Sequence, residues 1–135
     1  MRNETKFYGQ LAAAHTGVFI NYDIEPFLNT YGQKATDSAY PHDRSPLPLN
    51  LYFTWLSPTE DAFWRQMMQQ SVDYLRTVAI KEGIWDETGT AYPNYALSTY
   101  GGDRLYGSKN AARLRSVKAS VDPTGVMDLT GGFVI

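Results

Sequence analysis

The sequence has 135 residues, a length that suits one small domain with a hydrophobic core of its own. Its 12 basic and 14 acidic residues give a net charge of -2, so no surface for nucleic acid or anionic membranes is indicated. The absence of cysteine excludes disulfides, thiolate metal ligands and covalent attachment of a cofactor through sulfur.

The N-terminus and the apolar segments indicate neither export nor membrane insertion. The start "MRNETKFYGQ" lacks the apolar core of a signal peptide, and no apolar run approaches the roughly 18 residues of a membrane span. We therefore expect a soluble chain without a membrane partner, and the sequence leaves its compartment open. The pattern Asn3-Glu4-Thr5 matches a glycosylation acceptor but is short enough to arise by chance.

The first half of the chain predicts two strands, a short helix and a connector. The residues Thr16–Ile24 alternate as in a strand, and Pro26–Gly32 predict a short helix after it. Three prolines between Ala39 and Asn50 indicate an extended connector that leads into a second strand, Leu49–Leu56. Alternation gives this second strand an apolar face, which we expect to be buried, and a polar face. The apolar face holds Leu49, Leu51, Phe53 and Trp55, and the polar face holds Asn50, Tyr52 and Thr54.

A long helix is predicted over Pro58–Glu82. Ser57 as N-cap, Pro58 at the first helical position and Glu60 as the partner in a capping box indicate its start, and Gly83 indicates its end. A stripe at helical spacing favours a face that packs on the sheet over a ligand groove. The stripe consists of Trp64, Met67, Met68, Ser71, Leu75 and Val78.

The C-terminal part predicts a third extended segment, Tyr92–Tyr100, and a final helix over Ser108–Val121. The pair Gly131-Gly132 indicates a turn before a short apolar strand, "GFVI". The predicted fold class is α+β, with a partial antiparallel sheet of about three strands packed by two main helices. Such a thin layer leaves apolar residues without a partner, so we expect a piece of a larger fold.

Few residues form a recognisable catalytic group. His15 and His42 have no further ligand at metal-binding spacing, and the glycine clusters do not fit a phosphate-binding loop, so no metal site is predicted. Ten tyrosines remain as the conspicuous chemistry. In "AYPNYA", strand alternation separates Tyr92 from Tyr95 unless Pro93 causes a bulge. From spacing alone, aromatic packing is favoured over catalysis.

Six short motifs follow one another in the last third of the sequence: Tyr92-x-Asn94-Tyr95, Tyr106-Gly107, Arg113-Leu114, Lys118, Asp122-Pro123 and Gly132-Phe133. In this order and at close to this spacing, they resemble the C-terminal end of fungal berberine-bridge-enzyme-like FAD-linked oxidases. Upstream, "YPHDRSPLPLNLYFTW" is similar to the family's Pro-His segment and the strand that ends in tryptophan. The resemblance covers residues 39–135 well and residues 1–38 more weakly.

The resemblance implies an FAD-dependent oxidoreductase that oxidises a small organic molecule by hydride transfer to flavin. Residues 39–135 would form the berberine-like C-terminal domain, and residues 1–38 a strand and helix that lead into the same substrate-binding domain. The family's FAD-binding domain, with its phosphate-binding loop and its attachment His and Cys, is not in this sequence. We therefore expect the chain alone to be incompetent and to need a separate FAD-binding domain as partner. Full-length relatives are often secreted.

The resemblance also implies roles for individual residues. Tyr95 would be the catalytic base that takes a hydroxyl proton, Asn94 would face the flavin, and Tyr92 would line the substrate pocket. Asn50 and Tyr52, on the strand that ends in tryptophan, would be further substrate-binding residues. Asn50 stands about where plant members carry a glutamate or glutamine, and an amide cannot act as a base, so proton transfer falls to tyrosine.

Two alternatives stay open beside an oxidoreductase. The first is a stand-alone protein of fungal secondary metabolism that binds, isomerises or cyclises a small molecule without a cofactor, since tyrosine and asparagine side chains can orient a polar substrate. The second is a non-catalytic interaction module or remnant. None of the three readings includes a nucleic acid as partner.

Overall fold

The computed structural model describes residues 1–27, 30, 32–34, 36–43 and 48–135. The chain forms two compact units, the first comprising Met1–Pro26 and Leu47–Glu87 and the second comprising Phe27–Pro46 and Thr88–Ile135. Helices and strands occur together, so the predicted α+β class is confirmed. No described helix is long and apolar enough to cross a membrane.

The first unit contains two strands and two helices. In chain order these are helix α1 (Arg2–Ala14), strand β1 (Gly17–Ile24), strand β2 (Leu49–Trp55) and helix α2 (Asp61–Lys81). The strands pair antiparallel, α1 packs on β1 and α2 packs on β2. Both predicted strands and the long helix are therefore confirmed, and the helix begins with a 3-10 turn over Pro58–Glu60.

An aromatic core joins α1, β2 and α2. Tyr8, Phe53 and Trp64 are buried, and the Phe53 ring lies edge-on to Tyr8 at 5.3 Å and to Trp64 at 6.2 Å between centroids. The α2 stripe packs as predicted at Trp64 and Ser71, the two buried residues of this helix, whereas Val78 at the end of the stripe is exposed. Rings in edge contact add to the stabilisation that burial of their area already gives.

Helix α1 is not predicted by the sequence patterns. Its three alanines favour a helix, and Tyr8 is buried while Leu11 and Ala12 pack against the core beside it. A polar network fixes α1 to the rest of the unit: Ser71 donates to the Glu4 carboxylate at 2.9 Å, and the Tyr22 hydroxyl pairs with Ser71 at 2.6 Å. Such long-range bonds cannot be read from a local pattern.

The predicted capping box at Ser57 is wrong. The Ser57 side chain caps no helical N–H and instead pairs with the Thr59 hydroxyl at 2.7 Å. The Glu60 carboxylate does not reach back to Ser57, because it accepts hydrogen bonds from the Thr16 N–H and hydroxyl at 2.8 and 2.5 Å and from the Trp64 indole at 3.2 Å. Glu60 therefore links the end of α1 to the start of α2.

The second unit holds the rest of the chain and contains no strand among its described residues. The predicted third strand at Tyr92–Tyr100 is wrong, because Pro93–Tyr95 forms a 3-10 turn, and the sheet has two strands rather than about three. Proline suits the first position of such a turn, where no donor is needed. The predicted C-terminal strand "GFVI" is also not formed, and the predicted turn is a bend at Gly132, with positive φ at both Gly131 and Gly132.

Helix α3 (Gly102–Val121) is the main element of the second unit. Gly107 interrupts it with φ 72°, so the second segment begins at Ser108, where the final helix was predicted. Leu105 and Ala111 are fully buried, whereas Val121 at the end of the helix is 75% exposed. A 3-10 turn over Val126–Thr130 follows the helix.

Two predictions fall partly outside the described residues. Positions 28, 29 and 31 of the predicted helix Pro26–Gly32 are among those not described, and Gly32–Lys34 forms a 3-10 turn. In the predicted connector from Ala39 to Asn50, positions 44–47 lie outside the described part.

Candidate functional site

The turn Pro93–Tyr95 brings two tyrosines of the second unit together. The Tyr95 N–H donates to the Tyr92 carbonyl at 3.1 Å, and the two rings meet edge to face with centroids 5.0 Å apart at an angle of 85°. Residues three apart in a 3-10 turn lie on the same side, whereas strand alternation would have separated them. The departure from the predicted strand is therefore what places Tyr92 beside Tyr95.

Asn94 fixes the direction of the Tyr92 hydroxyl. Its amide Nδ2 donates to the Tyr92 oxygen at 2.8 Å. Because an amide nitrogen only donates, the Tyr92 oxygen accepts, and its own proton is left to donate to another group. Tyr92 is half-buried, Asn94 is exposed and Tyr95 is 39% exposed, so a ligand can reach all three side chains.

Two residues that the sequence analysis did not assign to the site support this turn. The Tyr40 ring lies 5.4 Å from the Tyr92 ring, and the His42 ring stacks on Tyr40 at 5.3 Å with an angle of 10°. The aromatic cluster, defined as Tyr40, His42, Tyr92 and Tyr95, is therefore continuous. The signal that could have pointed to it is the Tyr-Pro-His sequence within the segment already noted for its resemblance.

Asn50 and Tyr52 lie in the first unit, on the face of the sheet that does not carry the aromatic core. Opposite residues of an antiparallel pair share a face, so Asn50 lies beside Asp23, and Tyr52 beside Asn21. The Asn21 amide donates to Asp23 at 2.6 Å. These polar pairs give the outer face of the sheet both donors and acceptors.

Asn50 and Tyr52 differ in exposure. Asn50 is 5% exposed and has no hydrogen-bond partner for its side chain among the described residues, whereas Tyr52 is 45% exposed. A buried amide without a partner is costly, which is one signature of a position that meets a ligand. The predicted substrate residues thus divide between the units, with Asn50 and Tyr52 in the first and Tyr92 in the second.

Two strongly perturbed pKa values belong to residues of the first unit. Burial raises the pKa of Tyr22 to about 12, and hydrogen bonds led by the Thr16 hydroxyl lower the pKa of Glu60 to about 2. Both groups hold α1 to the sheet and to α2, so we infer that they stabilise the first unit and take no part in the candidate site. Within the described residues, no group of three His, Cys, Asp or Glu side chains could hold a metal ion.

The described residues can be compared with the two chemical parts of FAD. A flat ring with a polar edge, such as isoalloxazine, would need aromatic and amide partners, and the aromatic cluster and Asn94 are residues of those types. A diphosphate would favour a helix N-terminus without acidic neighbours, but α1, α2 and α3 carry Glu4, Asp61 and Asp103 in their first turns. The N-termini of the three described helices therefore offer the phosphates no favourable partner.

Comparison with known proteins gives one positive finding. The family model described as berberine and berberine like matches residues 91–129, which include the Tyr92–Tyr95 turn and all of α3. No curated protein and no solved structure matches the chain. Residues 91–129 therefore form a berberine-like region, a type of domain found in FAD-linked oxidoreductases.

Proposed function

We propose that this chain supplies the C-terminal part of the substrate-binding domain of an FAD-dependent oxidoreductase that acts on a small organic molecule. The observation that carries the proposal is the Tyr92–Asn94–Tyr95 group within the berberine-like region. A tyrosine pair with one oriented hydroxyl suits a substrate that has its own hydroxyl group. Flavin, when bound, accepts the hydride from that substrate.

The residues of the chain then have separate tasks. Tyr92 donates its free proton to a substrate oxygen, because Asn94 already occupies its acceptor position. Tyr95 takes the hydroxyl proton as the hydride leaves the neighbouring carbon, so the substrate loses a proton and a hydride together. A phenol accepts a proton only as phenolate, and this role needs a cofactor or cation that stabilises the anion.

The outer face of the sheet contributes substrate recognition in this proposal. The Asn50 amide offers one donor pair and one acceptor, and Tyr52 offers an exposed ring and hydroxyl. Both residues suit a polar and partly aromatic substrate. Asn94 acts on the site through Tyr92 and through the polar edge of the flavin ring.

The experiment compares the 135-residue chain with the same chain produced together with an FAD-binding domain. We expect the chain alone to purify without flavin, because its helix N-termini are acidic, and the two parts together to purify with flavin that candidate alcohols bleach. If the combined protein holds no flavin and the chain alone binds or converts a polar substrate, the cofactor-free alternative is correct and the proposal is wrong. Stoichiometric flavin on the chain alone would contradict our account of the phosphates.

A further inference from the structure

We infer that Tyr40, outside the berberine-like region, is a positioning residue that holds Tyr92 in the orientation its substrate contact requires. The inference rests on the proposed function for the identity of the site, but the contact itself can be tested without flavin. It extends the site from residues 91–129 to the segment Asp37–His42, which precedes the region in sequence by about 50 residues.

The Tyr92 side chain is held both at its hydroxyl and on its ring. Asn94 binds the Tyr92 oxygen at 2.8 Å, Tyr95 meets the ring at 5.0 Å, and Tyr40 meets it at 5.4 Å with an angle of 52°. Ring pairs at these distances attract beyond the burial of their area. Without Tyr40, Tyr92 would lose one of its two ring contacts.

Tyr40 is itself fixed. The Tyr40 carbonyl accepts hydrogen bonds from the Ser38 hydroxyl and from His42 Nδ1, each at 2.9 Å. Since a carbonyl oxygen only accepts, Nδ1 of His42 carries the proton. The same His42 ring stacks on the Tyr40 ring, so one histidine holds both the backbone and the side chain of Tyr40.

The segment Asp37–His42 is tied to α3. Asn110 donates from its amide to the Ala39 carbonyl at 2.9 Å, and Arg113 pairs with Asp37 at 2.9 Å. The ion pair is largely exposed and contributes little by itself. Asn110 is the anchor nearer to the ring, because it binds the backbone of Ala39 next to Tyr40.

These contacts allow Tyr40 to restrain the Tyr92 side chain, although the two residues lie far apart in the sequence. A substrate-binding hydroxyl is most effective when its rotamer is set before the substrate arrives. Tyr40 provides that restraint through the contact of its ring with the Tyr92 ring. Phenylalanine keeps this ring and should replace Tyr40, whereas leucine should not.

The test uses the 135-residue chain with labelled tyrosine rings and nuclear magnetic resonance. We expect nuclear Overhauser contacts between the Tyr40 and Tyr92 rings in the parent chain. Tyr40→Leu should shift the Tyr92 ring resonances and Tyr40→Phe should restore them. Tyr74→Leu, at an exposed tyrosine of α2 in the first unit, is the matched control and should leave Tyr92 unchanged. Asn110→Ala should weaken the Tyr40–Tyr92 contact without removing either ring.

The flavin-loaded protein provides a second measurement. Tyr40→Leu should lower kcat/KM for substrate oxidation by roughly two- to tenfold, the scale of one aromatic pair, and Tyr40→Phe should recover it. Tyr92 resonances that do not respond to Tyr40→Leu would overturn the inference, whatever the activity. If those resonances respond as expected but the combined protein binds no flavin, the positioning role holds and the proposed function fails.

Discussion

Gly17 stands at the closest approach of α1, β1 and α2, and replacing it by alanine should destabilise the first unit. A Cβ at this position would lie 2.7 Å from the Ala12 Cβ and 2.7 Å from the Trp64 ring, and real Cβ atoms do not come so near. Trp64 is fully buried and cannot move away without opening the core. The backbone of Gly17 does not have positive φ, so the cost is steric. We expect Gly17→Ala to lower the free energy of unfolding by about 1–3 kcal/mol, as overpacking does in other cores.

Urea unfolding followed by tryptophan fluorescence measures this effect. All three tryptophans, at positions 55, 64 and 85, belong to the first unit, so the signal reports on that unit. Gly9→Ala is the matched control, because Gly9 lies within α1 and a Cβ there meets nothing within 4 Å. It should stabilise the unit by roughly 0.5–1 kcal/mol. If Gly17→Ala were as stable as Gly9→Ala, the placement of β1 against Trp64 would be wrong.

Three further predictions concern the polar contacts of the first unit. The pKa of Glu60 is lowered from 4.5 to about 2, so the folded state binds fewer protons than the unfolded state. The stability that this carboxylate contributes is therefore complete above pH 4.5 and is lost as the pH falls toward 2. Glu60→Gln should flatten the acid side of a plot of the urea midpoint against pH. Ser57→Ala should leave the thermal melting curve nearly unchanged, because among the described residues the Ser57 side chain bonds only the exposed Thr59 hydroxyl. A stability loss near 1 kcal/mol would instead show that Ser57 acts as the N-cap of the helix. Ser71→Ala should lower the free energy of unfolding by about 1–3 kcal/mol, since it removes the hydrogen-bond partner of the Tyr22 hydroxyl. Equal stability of the variant and the parent chain in urea would show that water replaces the Ser71 hydroxyl as that partner.

The elements that the sequence predicted are those whose own residues carry the pattern. The strand Leu49–Trp55 alternates, and Asp61–Lys81 places Trp64 and Ser71 on one helical face, so local periodicity determined both. Helix α1 was not predicted, although Tyr8, Leu11 and Ala12 face the core at helical spacing. Its place depends on Ser71, 67 residues from Glu4, which no local window includes.

The candidate site shows the same limit. "YPNYALSTY" predicted a strand by its alternation, yet a strand needs a neighbour to bond, and Pro93 begins a 3-10 turn instead. The Ser57 pattern fits a capping box, but Glu60 has stronger partners in Thr16 and Trp64, one of them 44 residues away. The roles of Tyr92, Asn94 and Tyr95 stay predictions, and the contacts that orient these residues could not be predicted from the sequence.

The most direct test of the proposed function is the rate of flavin reduction in the flavin-loaded protein, measured by rapid mixing at saturating substrate. Tyr95→Phe keeps the ring beside Tyr92 but removes the group that takes the proton, and it should slow flavin reduction by roughly 10²- to 10⁴-fold. Tyr92→Phe should act mainly on substrate binding, at a cost of about 1 kcal/mol for one neutral hydrogen bond. Reduction at the parent rate in Tyr95→Phe, together with its loss in Tyr92→Phe, would contradict the account and exchange the two roles.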